Sequence, residues 1–151
     1  MMRVLLISPI LFLFACGSPD KELKADYENL TDETTGLLNP DRSRAFLAKV
    51  DEFAKAYSNN EELASEWLFK SGEVAQGIQD HEKSLEIYQQ ILKDFPNGDR
   101  AADATFMIAF TYDENFNNKE KAREYYELFL TNYPEDDFAD DASILLEMLN
   151  N

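Results

Sequence analysis

The fold of this chain is decided by a repeated stretch: residues 82–96 read EKSLEIYQQILKDFP, and residues 120–134 read EKAREYYELFLTNYP. The agreement continues past the prolines, so that over residues 82–104 ten of 23 positions are identical to the residue 38 positions later. A fixed spacing with this many identities indicates an internal repeat, and repeats of this length are typical of helical arrays.

Each repeated stretch has the pattern of an amphipathic helix. Leu85, Tyr88, Ile91, Leu92 and Phe95 recur at intervals of three and four residues, which places them on one face of a helix. A proline ends each stretch, because the residue before proline is driven out of the α-helical region. Each stretch is therefore predicted to form one helix with a single buried face.

Turn residues predict a second helix in every unit. Residues 77–80 and 115–118 are rich in Gly, Asn and Asp, which separate helices. The acidic stretches 97–99 and 135–137 are expected to start the following helices, where carboxylates meet the positive helix end. Pro40 opens an earlier helix at a favoured position. The sequence predicts an all-α solenoid of about two full helical-hairpin repeats plus flanking helices.

The N-terminus has the pattern of a targeting segment. Arg3 precedes a short apolar run that ends at Ala15, as in a secretory signal, and the run is too short to span a bilayer. The stretch Leu13-Phe14-Ala15-Cys16 resembles the lipobox of bacterial lipoproteins, in which the Cys is lipidated. We expect a signal peptide over 1–15, lipidated Cys16 with a polar tether and N-terminal segment over 16–39, and the repeat domain over 40–151. Residues 17–22 are the predicted tether, and the leucines of segment 21–39 suggest a helix that folds onto the first pair.

Charge and composition exclude several classes of function. The chain has 151 residues with 14 Lys and Arg against 30 Asp and Glu, a net charge of −16. Such a charge repels nucleic acid. One Cys and one His exclude a disulfide framework and a Cys/His zinc cluster. After Arg123 no Lys or Arg follows, so a basic partner surface is favoured.

The residues of the two units resemble a known family, the tetratricopeptide repeat. The positions that carry the resemblance are small, aromatic or proline: Trp67, Ser71, Val74, Ser84, Tyr88, Ile91 and Pro96 in one unit, and Thr105, Ala109, Tyr112, Ala122, Tyr126, Phe129 and Pro134 in the next. The length of the unit is similar to that of tetratricopeptide-repeat lipoproteins of the bacterial cell envelope, such as those of the barrel-assembly machine and the Tol–Pal system. The resemblance implies an outer-membrane, lipid-anchored protein on either face of that membrane, without a cofactor.

The resemblance also implies a binding groove lined by the first helix of each pair. By family position this groove would expose Phe69, Gly72, Asp103, Phe106, Phe110 and Asp113. Aromatic side chains framed by carboxylates suit a protein or peptide segment with apolar anchors and some basic residues. The alternative for each Phe is a place in the core between repeats. The alternative function is capture of a small molecule or glycan in a closed pocket.

Catalytic and metal-binding interpretations have weaker support in the sequence. His81 lies beside Asp80 in a predicted turn, where a solvated role is favoured over that of a general base. Asp113, Asn115, Asn117 and Glu124 mimic the ligand spacing of a calcium loop, but Asn118 replaces the glycine that such a loop needs. Acid pairs at 136–137 and 140–141 are typical of helix starts. We therefore predict a non-enzymatic protein with no metal.

Overall fold

A computed structural model describes residues 18–150 of the chain. The expected signal segment 1–15 and Cys16 lie outside the described residues. Residues 18–150 form seven α-helices joined by short connections: α1 (Lys21–Glu28), α2 (Pro40–Ala56), α3 (Glu61–Gly77), α4 (His81–Asp94), α5 (Ala101–Glu114), α6 (Lys119–Asn132) and α7 (Ala139–Asn150). No helix within residues 18–150 combines the length and the apolar character needed to cross a bilayer.

Each helix packs against the next one along the chain, so the helices stack in sequence order. The predicted repeats are the hairpins α3–α4 and α5–α6, and α1, α2 and α7 flank them. A hairpin cannot cover its own apolar face, and stacking of neighbouring hairpins buries these faces. The core consists of two adjoining clusters, which share Met107, Tyr112 and Tyr125 at their border. The predicted all-α repeat solenoid is confirmed.

The second helix of each repeat inserts its predicted face into this core. Tyr88 and Ile91 of α4 are fully buried, as are their counterparts Tyr126 and Phe129 of α6. Ser84 and Ala122 one turn earlier are also fully buried, and these small residues let the neighbouring helix approach closely. Trp67, Ser71 and Val74 of α3 are buried too, as the pattern predicts.

Side-chain caps fix the starts of four helices. The side-chain oxygens of Asn39, Asn60, Asp80 and Asn118 accept hydrogen bonds from backbone N–H groups of the first helical turn. The predicted starts at 97–99 and 135–137 are wrong by at least two residues, because a turn precedes α5 and α7 there. Pro40 is the first residue of α2, as predicted.

The segment 21–39 is only partly the helix that its leucines suggested. α1 ends at Glu28, and Leu30 is buried beyond it, whereas Leu37 is 69% exposed. The Asp32 carboxylate accepts hydrogen bonds from the backbone N–H groups two and three residues later. These bonds hold a turn that closes through Gly36, at φ +69°. Local hydrogen bonds of this kind compete with helix formation.

Part of the predicted tether belongs to the folded N-terminal segment. Residues 20–22 were assigned to the tether, but Lys21 and Glu22 lie in α1 and Asp20 is 3% exposed. Asp20 accepts hydrogen bonds from Ser18 and from the indole of Trp67, and it pairs with Lys24. A carboxylate with these partners is stabilised inside the fold and does not belong to a solvated linker.

Candidate functional site

The six predicted groove residues do not all reach one site. Phe69, Asp103 and Phe106 line a common pocket between α3 and α5, and Gly72, Phe110 and Asp113 are not part of its lining. The pocket has a volume of about 230 Å³ and opens to solvent. We call it the aromatic pocket; its other lining residues include Glu73, Arg100 and Phe138.

Phe106 forms the floor of the aromatic pocket. It is 8% exposed and lies edge-on to Tyr126 and Phe129, with ring centroids 5.9 and 5.6 Å away. Phe138, just before α7, stacks on Phe106 at 4.9 Å and remains 42% exposed. Phe106 is therefore both a core residue and a pocket surface, and Phe138 offers the accessible aromatic edge.

Gly72 was expected to be exposed in the groove, but it is a buried position at which two helices pack closely. It is buried, and the Tyr88 ring lies directly over its Cα. Phe110 is half-buried beside Phe106, with 6.4 Å between ring centroids. Asp113, near the end of α5, is likewise half-buried and lies outside the pocket.

A network of ion pairs forms one wall of the aromatic pocket. The Arg100 guanidinium pairs with Glu66 at 2.5 Å and with Asp103 at 2.6 Å, and Lys70 pairs with Glu66 at 2.8 Å. Arg100 also lies over the Phe69 ring, 4.9 Å from its centroid. Burial raises the pKa of Glu66, but hydrogen bonds from both cations lower it overall. The network holds both cations in place.

Glu73 is a carboxylate beside this network that takes no part in its ion pairs. Within residues 18–150 it forms no hydrogen bond or ion pair, although its side chain lines the aromatic pocket. The residue is exposed overall, yet desolvation of its carboxyl raises its pKa above the ordinary value, and Lys70 and Arg100 only partly offset this. Glu73 thus offers an unpaired negative charge at the pocket edge.

Glu73 also lines a second cavity, on the side of α3 that faces the N-terminal segment. This cavity, which we call the α1 pocket, has a volume of about 320 Å³ and is open to solvent. Its apolar walls come from Tyr27, Leu30, Leu38 and Val74. Glu28 and Thr31 complete the lining. We use "groove face" for the surface that contains the aromatic pocket, Glu73 and the α1 pocket.

Sequence reasoning missed several groove-face residues, and for some a signal existed. Glu73 lies four residues after Phe69, so helical geometry places both on one face. Arg100 and Phe138 lie at equivalent positions of the repeat, 38 residues apart and just before α5 and α7, but their side chains differ. The repeat therefore gave no signal that both line the pocket, and only the packing of neighbouring turns brings them there.

The other candidate sites are not assembled as binding centres. His81 was expected in a turn, but it is the first residue of α4, because Asp80 caps the helix before it. In the calcium-like set, Glu124 pairs with Lys121 at 2.7 Å. Residues 18–150 contain no group of three or more His, Cys, Asp or Glu side chains placed to hold a metal ion.

A larger cleft of about 480 Å³ lies between the C-terminal ends of α2 and α4, away from the groove face. Its lining is mostly polar, including Lys55 and Lys93, with Phe95 as its one aromatic residue, and Lys55 is paired with Asp51 at 2.6 Å. It has no aromatic wall comparable with that of the aromatic pocket, where Phe69, Phe106 and Phe138 converge.

Comparison with known families identifies the repeats. The family model of the tetratricopeptide repeat matches residues 68–98 and 103–136, which correspond to the hairpins α3–α4 and α5–α6. The sequence matches no curated protein. The two hairpins are thus similar to tetratricopeptide repeats and lie within an all-α solenoid. Such repeats are typically non-enzymatic scaffolds that bind protein partners.

Proposed function

We propose that this protein is a lipid-anchored, non-enzymatic scaffold of the bacterial cell envelope that binds a protein or peptide segment on its groove face. The observation that carries the binding proposal is the aromatic pocket, where Phe69, Phe106 and Phe138 converge between the two repeats and open to solvent. Aromatic side chains around a small pocket are typical anchors of protein interfaces.

The shape of the groove face supports a chain segment as the ligand. The aromatic pocket and the α1 pocket have volumes of about 230 and 320 Å³, and both are open. Small-molecule sites are usually closed clefts of about 300–1,000 Å³ that bury most of their ligand. Two shallow cavities suit individual side chains of a peptide better than an enclosed glycan or metabolite.

The anchor rests on the sequence of the N-terminus. A short apolar run followed by Leu13-Phe14-Ala15-Cys16 resembles a lipoprotein signal, and lipidation of Cys16 would place the protein at the outer membrane. Two or three acyl chains suffice for stable anchoring, since each buried CH₂ contributes about 0.8 kcal/mol. The excess of acidic residues favours a partner with basic residues.

Binding is tested with a displayed library of random peptides selected against the purified domain. We expect enriched peptides to carry apolar or aromatic residues, and Phe138→Ala to weaken their binding about tenfold, since one aromatic anchor contributes 1–3 kcal/mol. Leu128→Ala is the matched control, because Leu128 is 41% exposed but lies outside the pocket. Equal effects of the two variants would contradict the proposal.

The anchor is tested separately by metabolic palmitate labelling in a bacterial host. Wild-type protein is expected to be labelled and to fractionate with outer membranes, whereas Cys16→Ser removes the thiol and should abolish the label. Equal labelling of the two proteins would overturn the lipid anchor and leave peptide binding untouched.

A further inference from the structure

We propose that the groove face holds two subsites with apolar walls, separated by Glu73, and that its ligand is a segment with a Lys or Arg between two apolar side chains. This proposal rests on the proposed function and adds the pattern of the partner. Three features of the face support this pattern: two cavities, an unpaired carboxylate between them, and nearby Lys and Arg side chains that already form ion pairs within the protein.

The position of Glu73 on α3 gives the order of the subsites. Phe69, one helical turn earlier, lines the aromatic pocket only, and Val74, the next residue, lines the α1 pocket only. Glu73 lines both. Because residues four apart on a helix are neighbours and consecutive residues point about 100° apart, Glu73 forms the ridge between the two cavities.

Carboxylates outnumber cations around Glu73, which favours a ligand with a positive charge. Glu66 and Asp103 are paired with the two nearby cations, Lys70 and Arg100. Three carboxylates thus lie beside two cations, and Glu73 is the one of the three without an ion-pair partner. Glu28, which also lines the α1 pocket, adds a further negative charge. An acidic ligand would have to displace a formed ion pair, whereas a Lys or Arg of the partner would supply the missing counter-charge.

The aromatic rings beside the ridge are held in place before any ligand binds. Lys70 lies over the Tyr27 ring at 5.8 Å on one side, and Arg100 lies over the Phe69 ring at 4.9 Å on the other. Tyr27 also contacts Phe46, with 5.7 Å between ring centroids. Walls that are fixed in the free protein lower the ordering cost of binding.

The volumes of the subsites set the size of the flanking residues. At about 230 and 320 Å³, each cavity accommodates one side chain of the size of Leu or Phe rather than a longer segment. The α1 pocket is built partly by the N-terminal segment through Tyr27, Leu30 and Leu38. This segment precedes the two matched repeats, so the second subsite is a feature of this chain's own extension.

The test uses synthetic peptides in which one Arg lies between two Leu or Phe residues at varied spacing in a Ser and Gly background. Binding to the domain is measured by fluorescence anisotropy. We expect the best spacing to bind at least about tenfold more tightly than a scrambled peptide, and Glu73→Gln to remove most of this gain. Glu127→Gln is the matched control: Glu127 is exposed on α6 and lines neither subsite.

A double-mutant cycle identifies the contact. If the peptide Arg meets Glu73, replacing Arg by Gln and Glu73 by Gln together should cost little more than either change alone. Additive losses would overturn the pairing. Glu73→Gln keeps the shape of the side chain, and thermal unfolding of the variant verifies that the fold is retained.

Photo-crosslinking locates the two ends of the peptide. With p-benzoylphenylalanine in place of Glu28, which lines the α1 pocket, the expected crosslink is to one apolar residue of the peptide, and with it in place of Phe138, which lines the aromatic pocket, to the other. Crosslinks from both positions to the same residue would overturn the two-subsite arrangement. Loss of binding in Phe138→Ala with none in Glu73→Gln would refute this inference and leave the proposed function standing. Absence of any selected peptide would refute both.

Discussion

The indole Nε1 of Trp67 donates a hydrogen bond of 3.1 Å to Oδ2 of Asp20, a residue 47 positions earlier in the chain. Both groups are buried, so this bond attaches the start of the N-terminal segment to the first matched repeat. On the proposed anchor, only Gly17, Ser18 and Pro19 separate Cys16 from Asp20. Four residue steps span at most about 14 Å, so such an anchor would keep the repeats close to the membrane surface.

Asp20→Ala is expected to destabilise the domain by about 1–3 kcal/mol, because it leaves the buried indole N–H of Trp67 without an acceptor. Urea unfolding followed by tryptophan fluorescence measures the loss. Asp26→Ala is the control: Asp26 pairs with Lys49 at the surface, and exposed pairs contribute about 0–1 kcal/mol. Equal losses in the two variants would contradict a structural role for the buried bond.

The contribution of this hydrogen bond to stability depends on pH, and the pKa of Asp20 gives the direction. Burial raises the pKa of Asp20, but hydrogen bonds from Ser18, Lys24 and Trp67 lower it overall below the ordinary value of 3.8. The stabilisation is therefore complete above that value and is lost as the pH falls through the lowered pKa. In Asp20→Ala this acid-dependent part of the unfolding curve should be missing.

Gly72→Ala is expected to destabilise the domain by about 2 kcal/mol. A Cβ at this position would lie 2.5 Å from Cε1 of Tyr88, whose ring is fully buried and has no room to move. Overpacking of this kind costs about 1–3 kcal/mol, and the better helix propensity of Ala returns at most about 1 kcal/mol.

Gly77→Ala provides the comparison within the same helix. There a Cβ meets only the terminal Cδ1 of Leu38, a half-buried side chain that can turn aside. Thermal unfolding should place this variant within about 1 kcal/mol of the wild type. If Gly72→Ala were equally well tolerated, Gly72 would be available as a groove residue after all.

Tyr126→Phe is expected to leave stability unchanged or to raise it by about 1 kcal/mol. The Tyr126 hydroxyl is buried and has no hydrogen-bond partner within residues 18–150, and burial raises its pKa. Removing an unsatisfied polar group removes its desolvation cost. Phe129→Ala, at a neighbouring fully buried site, should instead cost about 3–5 kcal/mol by leaving a cavity. A large loss in Tyr126→Phe, measured by urea unfolding, would reveal a partner for the hydroxyl.

Glu73→Gln is expected to change the pH dependence of stability in the opposite sense to Asp20→Ala. Burial of the carboxyl raises the pKa of Glu73 above 4.5; Glu66 and Asp103 raise it further, while Lys70 and Arg100 oppose them. The folded protein then binds the proton more tightly than the unfolded chain. Wild-type stability should fall relative to the variant as the pH rises through the raised pKa.

Melting temperatures of wild type and Glu73→Gln across the acidic range test this expectation. The two curves should lie closest below pH 4.5 and separate above it, with the variant the more stable. Parallel curves would mean that the Glu73 carboxyl is fully solvated. A bound basic peptide should reverse the sign, because it stabilises the ionised form.

The repeated pattern made the fold readable from the sequence. Tyr88 and Tyr126 occupy equivalent positions 38 residues apart, and both are fully buried in the second helix of a repeat. Helical period and proline stops act locally, so a linear pattern is sufficient to predict them. The N-terminal segment has no repeat, and there the sequence suggested a helix but predicted neither the turn at Asp32 nor the burial of Asp20.

For the groove face too, some features could be predicted from the sequence and others depend on tertiary packing. The sequence by itself determined the two hairpins, the acidic charge and the approximate face on which Phe69, Asp103 and Phe106 lie. Tertiary structure alone decided that Gly72 lies under Tyr88, and that Phe138 and Arg100 reach the aromatic pocket. The physical reason is that a helix's exposed face follows from its own period, whereas packing of side chains from distant turns determines which part of that face is covered.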